Sequence, residues 1–205
     1  MAGAIIDSTS VHWNTPKWLV DLVSEALGGI DLDPCSNDHS IVPAGRKVQL
    51  PEDGLAVDWT EYSRVYVNPP YGRGISKWIE NAWLASTKGS HVIMVIPAAV
   101  DTKHWHRYVW RYAAAICFLK GRVKFDLPDK TCPLCKGEGQ IEATYGYEMC
   151  DECEGERTVK QALASSTVPT AVVLFTQNAM AAHRFQEVFH GPGHVIMDPN
   201  ENGLT

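Results

Sequence analysis

The sequence predicts an α/β fold with a mostly parallel sheet and helices on both of its faces. Short apolar runs rich in β-branched residues alternate along the 205-residue chain with segments whose apolar residues recur at helical spacing. The apolar run from His91 to Ile96 is uninterrupted, as expected for a strand that is covered on both faces. The length suits one domain, residues 1–205, with a modest insertion.

The first half of the chain contains one predicted helix and three predicted strands. Thr15 and Pro16 fit an N-cap followed by proline at the first helical position. Gly28 and Gly29 end the apolar helical pattern that follows. The strand segments are Ile30 to Pro34, Lys47 to Leu50 and Arg64 to Val67.

The second half continues the alternation of helices and strands. Apolar residues at helical spacing begin at Ile75 and stop near Gly89, and a last helix extends from Asn178 to His190. The remaining predicted elements are a helix around Trp105, Tyr108, Val109 and Tyr112, and strands at Ala115 to Leu119, Arg122 to Phe125 and Thr170 to Thr176.

Composition and charge exclude several classes of protein. No stretch approaches the roughly 20 apolar residues that span a bilayer, and the N-terminus lacks the apolar region of a signal peptide. The sequence therefore predicts a cytoplasmic protein without a membrane partner. A net charge of −6 argues against nonspecific coating of nucleic acid.

The charge is unevenly distributed along the chain. Six basic residues and one acid lie between Asp101 and Phe125, whereas nine acids and four bases lie between Asp126 and Lys160. The basic segment suits a phosphate backbone, although a solvated helix face has the same pattern.

Asn68-Pro69-Pro70-Tyr71 directly follows a predicted strand and is the strongest candidate for an active site. Ligands of open α/β sheets bind at the carboxyl ends of the strands. The Asn68 side-chain oxygen and the Pro69 carbonyl are two acceptors for one amine, and Tyr71 offers a flat face for a planar ring. An aminated nucleobase has both features. The simpler interpretation is a strand that two prolines terminate before a turn.

Four of the six cysteines form two Cys-x-x-Cys-x-Gly repeats that are separated by 14 residues. This spacing is typical of a structural, tetrahedral zinc site, with a disulfide pair or iron as the alternatives. The repeats predict a zinc finger inserted at residues 128–160, while Cys35 and Cys117 are predicted to be buried thiols. The four predicted ligands are Cys132, Cys135, Cys150 and Cys153.

Six motifs carry a family resemblance, and their order is more specific than any one of them. They are Trp13-Asn14-Thr15-Pro16, Asp31-Leu32-Asp33-Pro34-Cys35-Ser36, Asp53-Gly54-Leu55 with Trp59, Asn68-Pro69-Pro70-Tyr71-Gly72, Ile96-Pro97-Ala98 and Gly121-Arg122-Val123-Lys124-Phe125. Over about residues 13–125 and again over 168–176 the chain resembles the phage-type DNA N-6-adenine methyltransferase (Dam) family. The resemblance implies a Rossmann-like, S-adenosylmethionine-dependent fold that methylates the adenine exocyclic amine in double-stranded DNA.

The resemblance also implies which residues bind the cofactor. Asp31 and Asp33, on one face of the first strand, would hold the methionine ammonium, although such a pair also fits a loop cap. Asp53 would accept from the cofactor adenine amine, with Asp58 as the competing candidate. The Gly-x-Gly of many methyltransferases is absent, and Asp-Pro-Cys-Ser takes its place. The other implied cofactor residues are Thr15, Pro16, Pro34 and Asn68.

The same resemblance implies direct attack of the adenine amine on the sulfonium methyl group, without a covalent enzyme intermediate. Asn68 and the Pro69 carbonyl would accept the two amine hydrogens of a base flipped out of the duplex. Tyr71 would stack on that base, and Phe125 would be a second stacking residue unless it belongs to the core. The implied catalytic set is Asn68, Pro69, Pro70 and Tyr71, and the substrate set adds Arg122 and Lys124.

Two other functions fit the same motifs. One is methylation of a protein glutamine or an RNA base, which also uses Asn-Pro-Pro-Tyr. The other is a zinc-stapled nucleic-acid-binding module without catalysis, which would show no thermal stabilisation by S-adenosylmethionine. The finger itself fits target recognition, a structural clip or a surface for a protein partner, and its acidity speaks against a phosphate clamp.

Overall fold

The computed structural model shows a central seven-stranded sheet with helices on both faces. The structure describes residues 14–72, 74–125, 130–136, 138, 140–143, 146–154, 156, 158–159, 164–165 and 168–198. The helices are α1 (Lys17–Leu27), α2 (Ile75–Thr87), α3 (Trp110–Tyr112) and α4 (Ala179–Phe189), with a 3₁₀ turn at Trp59–Glu61 and a π-helical turn at Trp105–Val109. The strands are β1 (Ile30–Asp33), β2 (Ala44–Lys47), β3 (Arg64–Val67), β4 (His91–Pro97), β5 (Ala115–Leu119), β6 (Lys124–Phe125), β7 (Lys130–Thr131), β8 (Gln140–Ala143), β9 (Gly146–Met149), β10 (Thr158–Val159), β11 (Ala164–Ser165), β12 (Thr170–Phe175) and β13 (Gly193–Met197).

The central sheet has the strand order β13-β5-β12-β4-β3-β1-β2. The pairs β2–β1, β1–β3 and β3–β4 are parallel, whereas β12 is antiparallel to both β4 and β5, and β13 is antiparallel to β5. β12 is reversed because the chain enters it at the same edge of the sheet at which β5 ends. Five of the seven strands share one direction, so the predicted α/β class and mostly parallel sheet are confirmed.

Two strands of the central sheet differ from the prediction, and the predicted strand from Arg122 to Phe125 is reduced to β6, which lies outside that sheet. β2 occupies Ala44–Lys47, so the predicted segment from Lys47 to Leu50 is wrong except at its first residue. Val48 still donates its backbone N–H to the Asp33 carbonyl at 2.9 Å, but Leu50 is 80% exposed and Pro51 has no N–H to continue a ladder. β13 was not predicted, because its Gly-His-Val-Ile-Met segment is an edge strand without a clear apolar alternation.

Alternate residues of each strand face two separate apolar layers. Ile93 and Val95 pack with α1 and α4, whereas Met94 and Ile96 pack with α2 and the π-helical turn. This arrangement explains why β4 is apolar along its whole length, since helices cover both of its faces. The α1 pattern ends as predicted, with Gly28 in the left-handed conformation at φ 73°.

Residues 124–165, called the cysteine arm below, leave the sheet between β5 and β12. Three antiparallel pairs follow one another outward in the arm: β6 with β11, β7 with β10, and the β8–β9 hairpin. The predicted zinc-finger limits, residues 128–160, stay a prediction, and the nested pairing begins slightly earlier, at Lys124.

Candidate active site

The Asn68 loop leaves the carboxyl end of β3, which lies between β4 and β1 in the sheet. Val67, the last strand residue, is fully buried and pairs in register with Met94. Pro69 is buried, while Pro70 and Tyr71 are exposed. The two prolines end the ladder and fix the path of the loop, so the strand determines where Asn68 emerges. The structure therefore places the loop at the edge of the sheet where the sequence predicts a ligand site.

Thr15 connects the start of α1 to this loop. Its hydroxyl accepts from Asn68 Nδ2 at 3.1 Å and also hydrogen-bonds the phenol of Tyr66. Thr15 and Tyr66 are buried, and burial raises the pKa of the Tyr66 phenol. The bond from Nδ2 orients the amide plane of Asn68 and sets Oδ1 at the opposite edge of that amide.

The predicted N-cap role of Thr15 is wrong. Pro16 is the N-cap residue of α1, and its carbonyl accepts the backbone N–H groups of Leu19 and Val20 at 2.9 and 3.1 Å. No side chain caps this helix. The Thr15 hydroxyl is used instead for the contact between α1 and the Asn68 loop.

The ring of Tyr71 meets the ring of Phe125 edge-on. Their centroids are 6.5 Å apart and their planes lie at 84°. Tyr71 is 40% exposed, whereas Phe125 is 1% exposed and belongs to the apolar layer beneath α1 and α4. Phe125 is therefore a core residue, the alternative to base stacking that the sequence also allowed. Its burial is inconsistent with stacking on a base. Although Tyr71 is partly exposed, desolvation of its phenol raises the pKa of Tyr71, so the phenol stays protonated.

The two carboxylates of β1 lie in different environments. Asp31 accepts from Arg64 Nε at 3.1 and 3.2 Å and from the Arg64 backbone N–H at 3.0 Å. Hydrogen bonds from this guanidinium lower the pKa of Asp31. Asp33, at the carboxyl end of β1, is 2% exposed and accepts from the Cys35 backbone N–H at 3.2 Å. Asp31 already has a cationic partner, so the structure favours Asp33 as the acid for a ligand ammonium.

The Asp33 site fits a cationic ligand. Burial raises the pKa of Asp33 to about 6 although the charge of Lys47 acts against this shift, which means that the fold disfavours the negative charge of Asp33. The neighbouring Ser36 hydroxyl is buried and makes no well-formed hydrogen bond within the described residues, although it is near enough to favour the charged form of Asp33. A buried acid beside such a hydroxyl suits an ammonium group such as that of S-adenosylmethionine.

Gly54 holds the segment after β2 against the segment after β1. A Cβ atom at this position would lie 1.6 Å from the Pro34 carbonyl oxygen, so the backbone approach requires glycine. Asp53 is exposed next to this contact, and its carboxylate accepts from the Leu55 N–H at 2.9 Å. Asp53 and Pro34, two predicted cofactor residues, are therefore brought together.

The competing acid, Asp58, lies elsewhere. It caps the 3₁₀ turn through the backbone N–H and the hydroxyl of Thr60, and these hydrogen bonds lower the pKa of Asp58. It lines a groove of about 240 Å³ with Leu84 and Ala85, which are in the last turn of α2. Asp53 is therefore the better placed of the two acids, and its role stays a prediction.

The predicted phosphate-binding residues alternate with buried ones. Arg122 and Lys124 are exposed, whereas Val123 and Phe125 are buried. In the preceding helical segment, Lys103, Arg107 and Arg111 are also exposed. Arg122 and Lys124, which are predicted to bind the substrate, thus have their side chains at the surface. They precede Phe125, the residue that contacts Tyr71, by three residues and one residue.

The four predicted metal ligands form one buried cluster. Their sulfur atoms lie within 4.8 Å of one another, with Cys132 to Cys150 at 3.7 Å and Cys135 to Cys153 at 3.6 Å. Tetrahedral zinc with bonds of about 2.3 Å requires sulfur atoms about 3.8 Å apart, whereas a disulfide requires about 2.05 Å. The geometry fits a closed four-thiolate zinc site and does not fit disulfides.

The two cysteine repeats fold into equivalent turns. Glu138 and Glu156 donate their backbone N–H groups to the carbonyls of Cys135 and Cys153, at 3.0 and 2.8 Å. The residue before each repeat glycine has positive φ, 51° at Lys136 and 49° at Glu154. Gly137 and Gly155, the glycines of the two repeats, lie outside the described residues. Cys117 is buried as predicted, and Cys35 is half-buried.

Comparison with known families identifies the family of this chain. Residues 4–146 match the family model described as DNA N-6-adenine-methyltransferase (Dam). The chain belongs to the Dam family. Membership makes it a DNA adenine methyltransferase with S-adenosylmethionine as the implied methyl donor. The matched residues include the Asn68 loop and the first cysteine pair but end before Cys150.

A search of curated proteins finds no match to this Dam-family chain. Within the described residues, none of the helices combines the length and the apolar character needed to cross a membrane.

Sequence reasoning missed three residues that build the site. Tyr66 bonds Thr15, Arg64 neutralises Asp31, and Gly54 fits against Pro34. A signal existed for Tyr66, because a tyrosine in a buried strand needs a partner for its hydroxyl. The other two contacts depend on which strands are neighbours, and that order is a property of the folded sheet.

Proposed function

We propose that this Dam-family protein methylates the exocyclic amine of an adenine that is flipped out of double-stranded DNA, on a Rossmann-like fold. The observation that carries the proposal is the anchored Asn68 loop. Asn68 emerges from a buried strand, and its Nδ2 donates to Thr15. An acceptor that is fixed before the substrate arrives stabilises developing charge without a reorganisation cost.

Asn68 and Pro69 act on the amine. The Asn68 Oδ1 and the Pro69 carbonyl accept its two hydrogens, which favours a tetrahedral nitrogen whose lone pair is available for attack. The neutral adenine amine is a poor nucleophile because its lone pair is conjugated with the ring. A tyrosine phenol has an ordinary pKa of about 10, and desolvation raises that of Tyr71 further, so Tyr71 contributes a neutral ring at physiological pH.

The cofactor site lies at the carboxyl ends of β1 and β2. S-adenosylmethionine, when bound, supplies an electrophilic methyl group on its sulfonium. Asp33 holds the methionine ammonium, Thr15 and Pro16 border the methionine, and Asp53, beside Pro34, accepts from the cofactor adenine. Support comes from the buried Asp33 carboxylate, whose pKa is raised by desolvation even though the charge of Lys47 acts against that shift.

Extrusion of the base costs a few kcal/mol, and contacts outside the duplex must offset that cost. Stacking of a base on an aromatic ring contributes about 1–3 kcal/mol in single-strand complexes. Tyr71 is exposed enough to stack, and Arg122 and Lys124 are positioned to meet phosphates near it. Phe125 supports Tyr71 from behind rather than touching the base. The four thiolates bind zinc as a closed structural site, so the metal takes no part in catalysis.

Product analysis tests this proposal. The protein is incubated with methyl-labelled S-adenosylmethionine and, in separate reactions, duplex DNA, single-stranded DNA, RNA or a protein mixture. Digestion and mass spectrometry are expected to find N6-methyldeoxyadenosine from the duplex, at sites that sequencing then maps. Label in RNA or in a glutamine side chain, with none in DNA, would refute the proposal. Thermal stabilisation by metal but not by the cofactor would favour a non-catalytic module.

A further inference from the structure

The base of the cysteine arm touches the catalytic loop. Phe125 belongs to β6, is 1% exposed, and meets the edge of Tyr71. The aromatic pair therefore joins a residue of the arm to the ring that is assigned to base stacking. Edge-on pairs of this kind have a preferred orientation, so the position of Phe125 biases the plane of Tyr71.

The pairing that holds Phe125 is short. β6 and β11 contribute two residues each, with Phe125 opposite Ala164 and Lys124 opposite Ser165. The next pair, β7 with β10, is equally short. Two-stranded ladders of this size are marginal in water, so the two limbs of the arm need a further link to stay in register.

The cysteine cluster supplies that link. Cys132 directly follows β7 on the outgoing limb, and Cys150 and Cys153 precede β10 on the returning limb. The sulfur distance from Cys132 to Cys150 joins the two limbs across 18 residues of sequence at 3.7 Å. A metal bound by these thiolates holds the two limbs together, because their separation would break metal–thiolate bonds.

The exposed surface of the arm does not suit a direct contact with DNA. All seven acids among its described residues are exposed, whereas those residues include three bases, and a zinc site with four thiolates adds negative charge. An effect of the arm on DNA methylation would therefore have to pass through the protein. The seven acids are Glu138, Glu142, Glu148, Asp151, Glu152, Glu154 and Glu156.

We propose that the cysteine arm is a buttress for base binding, in which the metal-closed cluster keeps β6 paired with β11 and Phe125 thereby positions Tyr71 against the flipped adenine. The inference rests on the proposed function. Phe125 is a positioning residue, and it acts through Tyr71. The proposal assigns the zinc site an effect on DNA handling and none on cofactor binding at Asp33.

The test compares Phe125→Leu with Phe189→Leu. Phe189 is a matched control, because it is fully buried in the same apolar layer and also has an aromatic neighbour, Phe185, at 4.6 Å. Both variants are loaded with zinc and mixed with a duplex that the wild type methylates, in which 2-aminopurine replaces the target adenine. Fluorescence reports base extrusion, calorimetry with S-adenosylhomocysteine reports cofactor binding, and metal analysis reports zinc content.

We expect Phe125→Leu to weaken base extrusion up to about tenfold, the upper range for loss of an aromatic pair, with zinc content and cofactor affinity unchanged. Phe189→Leu should stay within about twofold of the wild type in extrusion. Equal extrusion by the two variants overturns the proposal. If wild-type protein methylates no duplex, the proposed function fails first; if it does and the variants match, the buttress alone is wrong.

Zinc-stripped wild-type protein gives a second measurement that does not depend on the folding of Phe125→Leu. The buttress predicts the same loss of base extrusion, with S-adenosylhomocysteine still bound as tightly as by the zinc-loaded protein. Unchanged extrusion after removal of zinc contradicts the proposal. Loss of cofactor binding together with extrusion also contradicts it, because the arm would then support the whole domain.

Discussion

The cysteine cluster and the Asn68 loop are both small polar sites, but their supports differ in range. Each half of the cluster is a turn of a few residues, closed by a bond such as Glu138 N–H to the Cys135 carbonyl. The Asn68 loop is held by Thr15, 53 residues away in sequence, and Thr15 is held in turn by Tyr66. The first site needs a local turn and a metal, whereas the second needs the assembled sheet.

This difference determines what each site can tolerate. A metal cluster contributes its own folding free energy, so the local chain around it folds when the metal binds. The Asn68 loop has no such bond and depends on buried hydrogen bonds that the rest of the domain must place. Changes to the cluster should therefore act on the fold of the arm and, through Phe125, on base extrusion, while changes to the loop contacts should act on the rate of methyl transfer.

The largest expected effect is that of zinc on the arm. Structural zinc in small fingers binds with an apparent free energy on the order of 10 kcal/mol, so the arm should lose its structure when a chelator removes the metal. Limited proteolysis followed by mass spectrometry should locate new cuts within residues 130–159, with α1 to β5 protected. A chain that binds no zinc, or an arm equally resistant after chelation, would show that the cluster does not close the arm.

Asn68→Ala tests the other region. Loss of one preorganised polar group in an active site costs roughly 10²–10³ in kcat, and a similar loss is expected here without a change in cofactor affinity. The measurement is single-turnover methylation of duplex DNA. Asn81→Ala is the matched control, since Asn81 is a half-buried asparagine on α2 that donates to the Leu55 carbonyl at 3.4 Å. Equal rates for the two variants would show that Asn68 takes no part in the chemical step.

Asp33→Asn should weaken binding of the ligand and raise the stability of the cofactor-free protein. The folded pKa of Asp33, about 6, lies above its ordinary value of 3.8 because of burial, so the contribution of Asp33 to stability is present below about pH 4 and lost as pH rises through 6. Removing the charge should therefore stabilise the cofactor-free protein at neutral pH, by at most about 3 kcal/mol, with no gain below pH 4. Urea unfolding from pH 4 to 8 measures this difference.

Asp31→Asn is the control with the opposite sign. The pKa of Asp31 is lowered by Arg64, so Asp31 stabilises the fold above its ordinary pKa and this contribution is lost as pH falls. Its replacement should destabilise the protein at neutral pH. If Asp33→Asn also destabilises the protein at neutral pH, Asp33 is not a strained buried acid.

The smallest expected effect belongs to Thr15. Thr15→Val keeps the shape of the side chain but removes the hydroxyl that Asn68 and Tyr66 share, and a net hydrogen bond of about 1 kcal/mol corresponds to a rate loss of roughly five- to tenfold. Thr15→Ser retains the hydroxyl and should recover most of the rate. A serine variant as slow as the valine variant would mean that Thr15 acts by packing instead.

Local sequence patterns were sufficient to predict several of the helices and strands. Strand β3 has the predicted limits, Gly28 ends α1, and Asn178 caps α4 through the backbone N–H groups of Met180 and Ala181. The four predicted zinc ligands follow from spacing, because each Cys-x-x-Cys turn brings its own two thiols together and the β8–β9 hairpin joins the two turns.

Contacts between segments that are distant in sequence could not be predicted from the sequence patterns. The reversed direction of β12 depends on where the cysteine arm returns to the sheet, and the edge strand β13 has little apolar alternation to reveal it. The role of Thr15 was misassigned because a threonine before a proline also fits a helix cap. Its actual partner, Tyr66, becomes a neighbour once β3 lies beside α1.

A crystal structure of the protein with S-adenosylhomocysteine and a duplex that it methylates would test the central claim most directly. The account predicts an adenine outside the helix, with its exocyclic nitrogen within hydrogen-bonding distance of both Asn68 Oδ1 and the Pro69 carbonyl and its ring against Tyr71. A target adenine still stacked in the duplex, or one bound away from the Asn68 loop, would contradict the account.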